Sequence, residues 1–235
     1  MHSSRVFAGA VAVLSSVILA SSAAAIPLTT DDFEDGSTMG WFVPGPHPAP
    51  PTNIPTGGPA GVNDNYLQLT STGNPGAGGR LAVLNESQWT GDFIAAGVRA
   101  IVMDVNNFGP SEVTLRLLFV DIPGPPPPAN LVTTLADVVV PAGSGWVRVK
   151  FSLSPSNLTA LLGTVNGALA NVDDFRIFHN PDPAFPGPPI GPPRVEALLG
   201  VDNIRAVPEP TAVLLLAGGL GTALCRMRRR SLPSF

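Results

Sequence analysis

Cysteine, histidine and charge are all scarce in this 235-residue chain, and each shortage removes a class of chemistry. The single cysteine, Cys225, excludes an intrachain disulfide and a cysteine-based zinc cluster. Charged residues make up only 13% of the chain and sum to a net charge of -4, so no basic field exists to neutralise a phosphate backbone. Nucleic acid is therefore excluded as an expected partner. Of the three histidines, His2 lies in the N-terminal leader, His47 among prolines, and His179 just before Asn180-Pro181, which offers no nucleophile and base pair. A G-x-S-x-G elbow, a GKS or GKT phosphate loop and an HExxH zinc helix are all missing. The expectation is a protein that is not an enzyme. A hydrolase or lyase working through two carboxylates brought together by the fold stays open as an alternative.

What the chain has in quantity is glycine, 25 residues, and proline, 27, a composition that breaks long helices and favours strands joined by turns. Apolar and β-branched runs bordered by Gly, Pro, Asn and Asp predict nine strands over residues 38–43, 66–71, 80–84, 98–106, 113–121, 132–140, 146–153, 174–178 and 200–206. Nine short strands suit an all-β fold of two packed sheets. In the seventh, Arg148 and Lys150 share one face while Val147, Val149 and Phe151 share the other; in 113–121, Leu115, Leu117 and Phe119 line one face, opposite Thr114, Arg116 and Leu118. Ser154 and Pro155 suit the cap and first position of a short helix continuing through Leu158, Leu161 and Leu162. The proline-rich stretches 44–59, 123–128 and 181–193 are expected as exposed loops, the last long enough to build a binding surface.

The two ends read as addresses. His2 and Arg5 precede an apolar run from Val6 to Ala20, and Ala23-Ala24-Ala25 supplies the small residues that signal peptidase accepts, so residues 1–25 read as a secretory signal peptide. At the other end Val207-Pro208-Glu209-Pro210-Thr211 is followed by an uncharged stretch, 212–225, and then by Arg226, Arg228, Arg229 and Arg230. Fourteen helical residues would cover about 21 Å against a hydrocarbon core of about 30 Å, a short transmembrane helix suited to temporary tethering. The arginines should remain cytoplasmic, which places the body on the outer face of the inner membrane. Between Ile26 and Pro210 the chain keeps all 17 acidic residues and only eight basic ones, a net charge of -9 that favours cations or neutral polymers over polyanions.

This tripartite tail resembles the PEP-CTERM sorting signal of exported bacterial proteins. The resemblance implies that Val207, Pro208, Glu209 and Pro210, in the tail of residues 207–235, are recognised by an exosortase, whose processing leaves a mature segment from Ile26 to Pro210 at the cell surface or outside it. The body, residues 26–206, carries a second resemblance. Its opening Asp32-Phe33-Glu34-Asp35-Gly36 with Gly40-Trp41, and its closing Gly200-Val201-Asp202-Asn203-Ile204, are similar to the first and last strands of galactose-binding-like jelly rolls, the β-sandwich of many carbohydrate-binding modules. In that fold the terminal strands lie side by side, so Glu34, Asp35 and Asp202 could converge on Ca²⁺, for which the resemblance implies a structural role at Glu34 and Asp202. Solvated turn acids are the alternative reading.

Aromatic residues, 6% of the chain, are the candidate sugar platforms, since a ring face stacks on the apolar face of a pyranose. Trp41, Trp146 and Tyr66 sit in strand-like patterns and read first as core, whereas Trp89 in a turn-rich stretch reads equally as core or as platform. Asn63-Asp64-Asn65, Asn74 and Asn106-Asn107 could read hydroxyls, although turns use the same residues for backbone reasons. The expected function is non-catalytic association with an exopolysaccharide matrix. A structural matrix component without a saccharide site is the rival reading.

Overall fold

The structure is a computed structural model that describes residues 30–183 and 191–208. Expectations for residues 1–29, 184–190 and 209–235 therefore fall outside the described residues: the signal peptide, most of the proline-rich loop 181–193, Glu209, Pro210, the apolar segment and Arg226, Arg228, Arg229 and Arg230. Strands β1 (Thr30–Asp31), β2 (Trp41–Phe42), β3 (Thr52–Ile54), β4 (Tyr66–Thr72), β5 (Ala82–Asn85), β6 (Val98–Asn107) and β7 (Val113–Asp121) come first. They are followed by β8 (Asn130–Thr134), β9 (Val138–Val140), β10 (Val147–Ser152), β11 (Leu158–Leu162), helix α1 (Val165–Ala170), β12 (Asp174–His179) and β13 (Glu196–Pro208). The first sheet runs β10-β6-β13-β4-β3, with β1 also against β13; the second runs β11-β8-β7-β12-β5-β2, with β9 also against β7. Every pairing is antiparallel, so the domain is an all-β sandwich of two sheets.

Alternation decides what each sheet puts inside. On β6, Ile101, Met103 and Val105 enter the core; on β13, Leu199 and Val201; on β4, Leu67 and Leu69; on β7, Leu115, Leu117 and Phe119. The opposite face of β7 is buried as well, since Leu118 and Val120 form a second apolar cluster with Phe178. The terminal strands do meet: Thr30 and Asp31 pair with Arg205 and Ile204. Val207 and Pro208 continue the last strand opposite Ala100 and Val98.

The helix expected from Ser154 onward is instead a single 3-10 turn, Pro155–Asn157, leading into β11 on the edge beside β8. Among the described residues the α-helix that forms is α1, whose cap Thr164 accepts the Gly167 N–H at 3.0 Å. Residues 132–140 divide into β8 and β9, because Arg116 of β7 draws the intervening backbone inward. Its guanidinium donates to the carbonyls of Thr134 and Leu135 at 2.9 and 2.8 Å, and to those of Asn180 and Pro181 at 2.7 and 3.0 Å. Proline-rich 44–59 is likewise not all loop, since Thr52–Ile54 pairs with β4.

Candidate functional site

The outer face of the first sheet collects the aromatic and polar side chains that the core-directed positions leave over. On β4, Tyr66, Gln68 and Thr70 alternate with the core leucines; on β6, Asp104 and Asn106 do the same; on β13, Leu198, Gly200 and Asp202. Gly200 stands in register with Asn106 on one side and Gln68 on the other, at the centre of the face. A methyl group there would come within 2.8 Å of Trp146 Cη2 and 2.9 Å of Phe108 Cε2, so the missing side chain lets two rings rest on bare sheet backbone.

Those rings form a trio with Tyr66. Tyr66 lies 5.3 Å from Trp146 at 75° and 5.8 Å from Phe108, and Phe108 lies 6.1 Å from Trp146 at 84°. Trp146, from the edge of β10, reaches over the sheet and donates its Nε1–H to the Gly57 carbonyl at 2.8 Å. Gly57 is fixed because its loop bonds to itself: Gly57 N–H to Gly61 O at 2.8 Å and Gly58 N–H to Asp64 O at 2.9 Å. Phe108, 43% exposed, is held by its N–H on Leu198 O at 2.8 Å. Behind it the fully buried Asn107 accepts the Gly109 N–H and donates to Ser111 and Val140 carbonyls. The platform is thus set before any ligand arrives.

Beside the trio lies an acidic group. Arg148 makes a bidentate pair with Asp104, both contacts at 2.8 Å, and Asn203 donates to Asp104 and Asp202 at 3.1 and 2.9 Å. Burial, with the charges of Asp64, Asp104 and Glu34 adding to it, pushes the Asp202 carboxyl up to about 7 against the opposing Asn203 N–H. Asn203 adopts a left-handed φ of 52°, at the bulge where β13 slips register against β6.

The residues expected to hold calcium are each engaged within the chain. Glu34 accepts the Asn65 N–H, Asp35 closes on Ser37 through N–H and hydroxyl, and both Asp202 oxygens accept from Asn203. Among the described residues no three potential ligands gather as a metal cluster.

Trp41 and Trp89 are 1% and 2% exposed and offer no stacking face. Both donate their indole N–H to Asp31 Oδ2 at 2.7 Å and pack on Phe175, at 5.6 and 5.2 Å, inside the sandwich. Tyr66 does lie on the outer face but is only 7% exposed. The aromatic residue on this face that the sequence reading missed is Phe108; Trp146 is among its candidates but reads first as core. The readable signal was Gly200 in mid-strand, which marks a place where something approaches the backbone closely.

No family model matches the sequence, and no curated relative does. Among solved structures, the chain is similar to an exo-beta-agarase, with 14% identity and a TM-score of 0.53 over 78% of this chain. The match covers 26% of the agarase, so this chain spans about a quarter of that enzyme's length. It also matches a family 11 carbohydrate-binding module from a Clostridium thermocellum cellulosomal cellulase, with 14% identity and a TM-score of 0.49 over 79% of this chain and 97% of the module. A carbohydrate-binding module specific for non-crystalline cellulose matches at 16% identity and a TM-score of 0.45, over 77% and 93%. At these identities the likeness concerns the fold.

Proposed function

We propose that this chain is an exported, non-catalytic saccharide-binding protein whose ligand docks on the outer face of the first sheet. The observation behind this reading is the trio of Tyr66, Phe108 and Trp146, mounted over side-chain-free Gly200 and flanked by the amides of Asn106 and Gln68. Rigid rings beside hydroxyl-reading amides suit a neutral polysaccharide. The likeness in fold to carbohydrate-binding modules agrees with this reading. Export through the N-terminal leader and exosortase processing at Pro208-Glu209-Pro210 belong to the same proposal, with the mature protein at the cell surface or outside the cell.

Affinity electrophoresis through gels containing mixed-linkage β-glucan, agarose, xylan or alginate tests the binding. Retardation by at least one of the neutral polymers, and none by alginate, is expected; free migration through all four defeats the proposal. Processing is checked by intact mass of the protein recovered from its host, where loss of both ends is expected and a full-length mass refutes it.

A further inference from the structure

The outer face is not one continuous platform. Trp146 and the Gly57 loop together cross the sheet at the level of Gly200, joined by the 2.8 Å bond, and form a bar that divides the face. On one side lies Asp202, 1% exposed and closed off with Asp104. On the other side β13 continues outward through Leu198 and Glu196, and there an open groove runs between the Phe108–Pro110 turn and the Thr72–Asn74 turn. Leu198 and Thr70 form its floor, Phe108 its aromatic wall, and Thr72, Asn74 and Glu196 its polar rim.

Resting on the saccharide reading above, the geometry points to this groove as the binding site for a short stretch of neutral polysaccharide that lies across β13 and β4. A chain running along the strands would meet the bar, whereas one running across them meets Phe108 first and leaves past Thr72. Two strand spacings give about 10 Å of floor, room for roughly two or three pyranose rings. Gly109 shows why the wall stands so close to the floor: a methyl there would fall 2.5 Å from the Leu198 nitrogen, so the turn is clamped directly against β13. Glu196 is exposed and takes part in none of the ion pairs Arg116–Asp137, Arg148–Asp104 and Arg176–Asp174, which turns the rim against anionic sugars.

Calorimetric titration with the di-, tri-, tetra- and hexasaccharides of the retained gel polymer tests the assignment on the intact domain. Affinity should rise as far as the trisaccharide and then level off. Phe108→Ala should weaken binding about tenfold. Thr70→Arg, which fills the groove from a strand without touching the wall, should abolish it, while Lys150→Ala, on the same face beyond the bar, should leave it unchanged. Affinity that keeps climbing to the hexasaccharide, or binding indifferent to both Phe108→Ala and Thr70→Arg, overturns the groove while leaving saccharide binding intact. Failure of every polymer to bind overturns both.

Discussion

Asp202 shows how much one side chain can decide at the residue scale. It is buried against Asn203 in the field of Asp104, Asp64 and Glu34, and its carboxyl is pushed from 3.8 to about 7. A carboxyl whose pKa is raised by folding favours the folded state while protonated, and that contribution is lost as pH rises through the folded value. Stability should therefore decline between about pH 4 and pH 7 on account of this group, and Asp31, raised chiefly by burial, acts in the same direction. Asp202→Asn removes the penalty. Urea titrations should find the variant close to wild type at acid pH and more stable at alkaline pH, by no more than about 4 kcal/mol. An advantage that is the same at both ends of the range would show that ionisation of Asp202 is not the cause. Asp31 gives a second residue-scale expectation, since its Oδ2 takes both indole N–H groups and a bond from Gln88, while its Oδ1 has no hydrogen-bond partner among the described residues. Trp89→Phe withdraws one donor from a buried carboxylate and should cost about 1–3 kcal/mol in the same titration.

At the scale of elements, Arg116 does the work of a staple. Its side chain is 1% exposed and its donors hold the β8–β9 connection, Asp137 and the chain leaving β12 at once. Arg116→Met fills similar space but strips the buried Thr134 and Asn180 carbonyls, and the part-buried bonds to Leu135 and Pro181, of a charged donor, which should destabilise the fold by about 3 kcal/mol or more. Hydrogen exchange should show the protection loss concentrated at residues 134–137 and 180–181; a uniform loss would mean the residue acts only through overall packing. No pattern in the sequence announces this staple, because an arginine on the polar face of an alternating strand ordinarily faces water. The same gap explains the misplaced helix. Leu158, Leu161 and Leu162 have helical spacing, but β8 offered an unpaired edge, and pairing with that edge outweighed local preference. In α1 the signal was simply too short to read.

For the molecule as a whole, alternation and turn chemistry made the sandwich legible: strand 113–121 was read to its ends, and the core faces of β4, β6 and β7 follow from period two. The site was less legible, because Phe108, Trp146 and Gly200 come from three distant segments that only the sheet order β10-β6-β13-β4 brings together. Net charge, in contrast, needs no fold. With 17 acidic residues and eight basic ones between Ile26 and Pro210, the domain repels polyanions at long range, while ring stacking and hydroxyl contacts act only at contact. Retardation by a neutral polysaccharide should therefore be nearly the same in low and high salt, because no counterions are released when the ligand has no charge. Alginate should stay unbound in both. If added salt sharply weakened retention by the neutral polymer, an ionic contact would have to be carrying the affinity, and the ring of Phe108 could not be what holds the sugar.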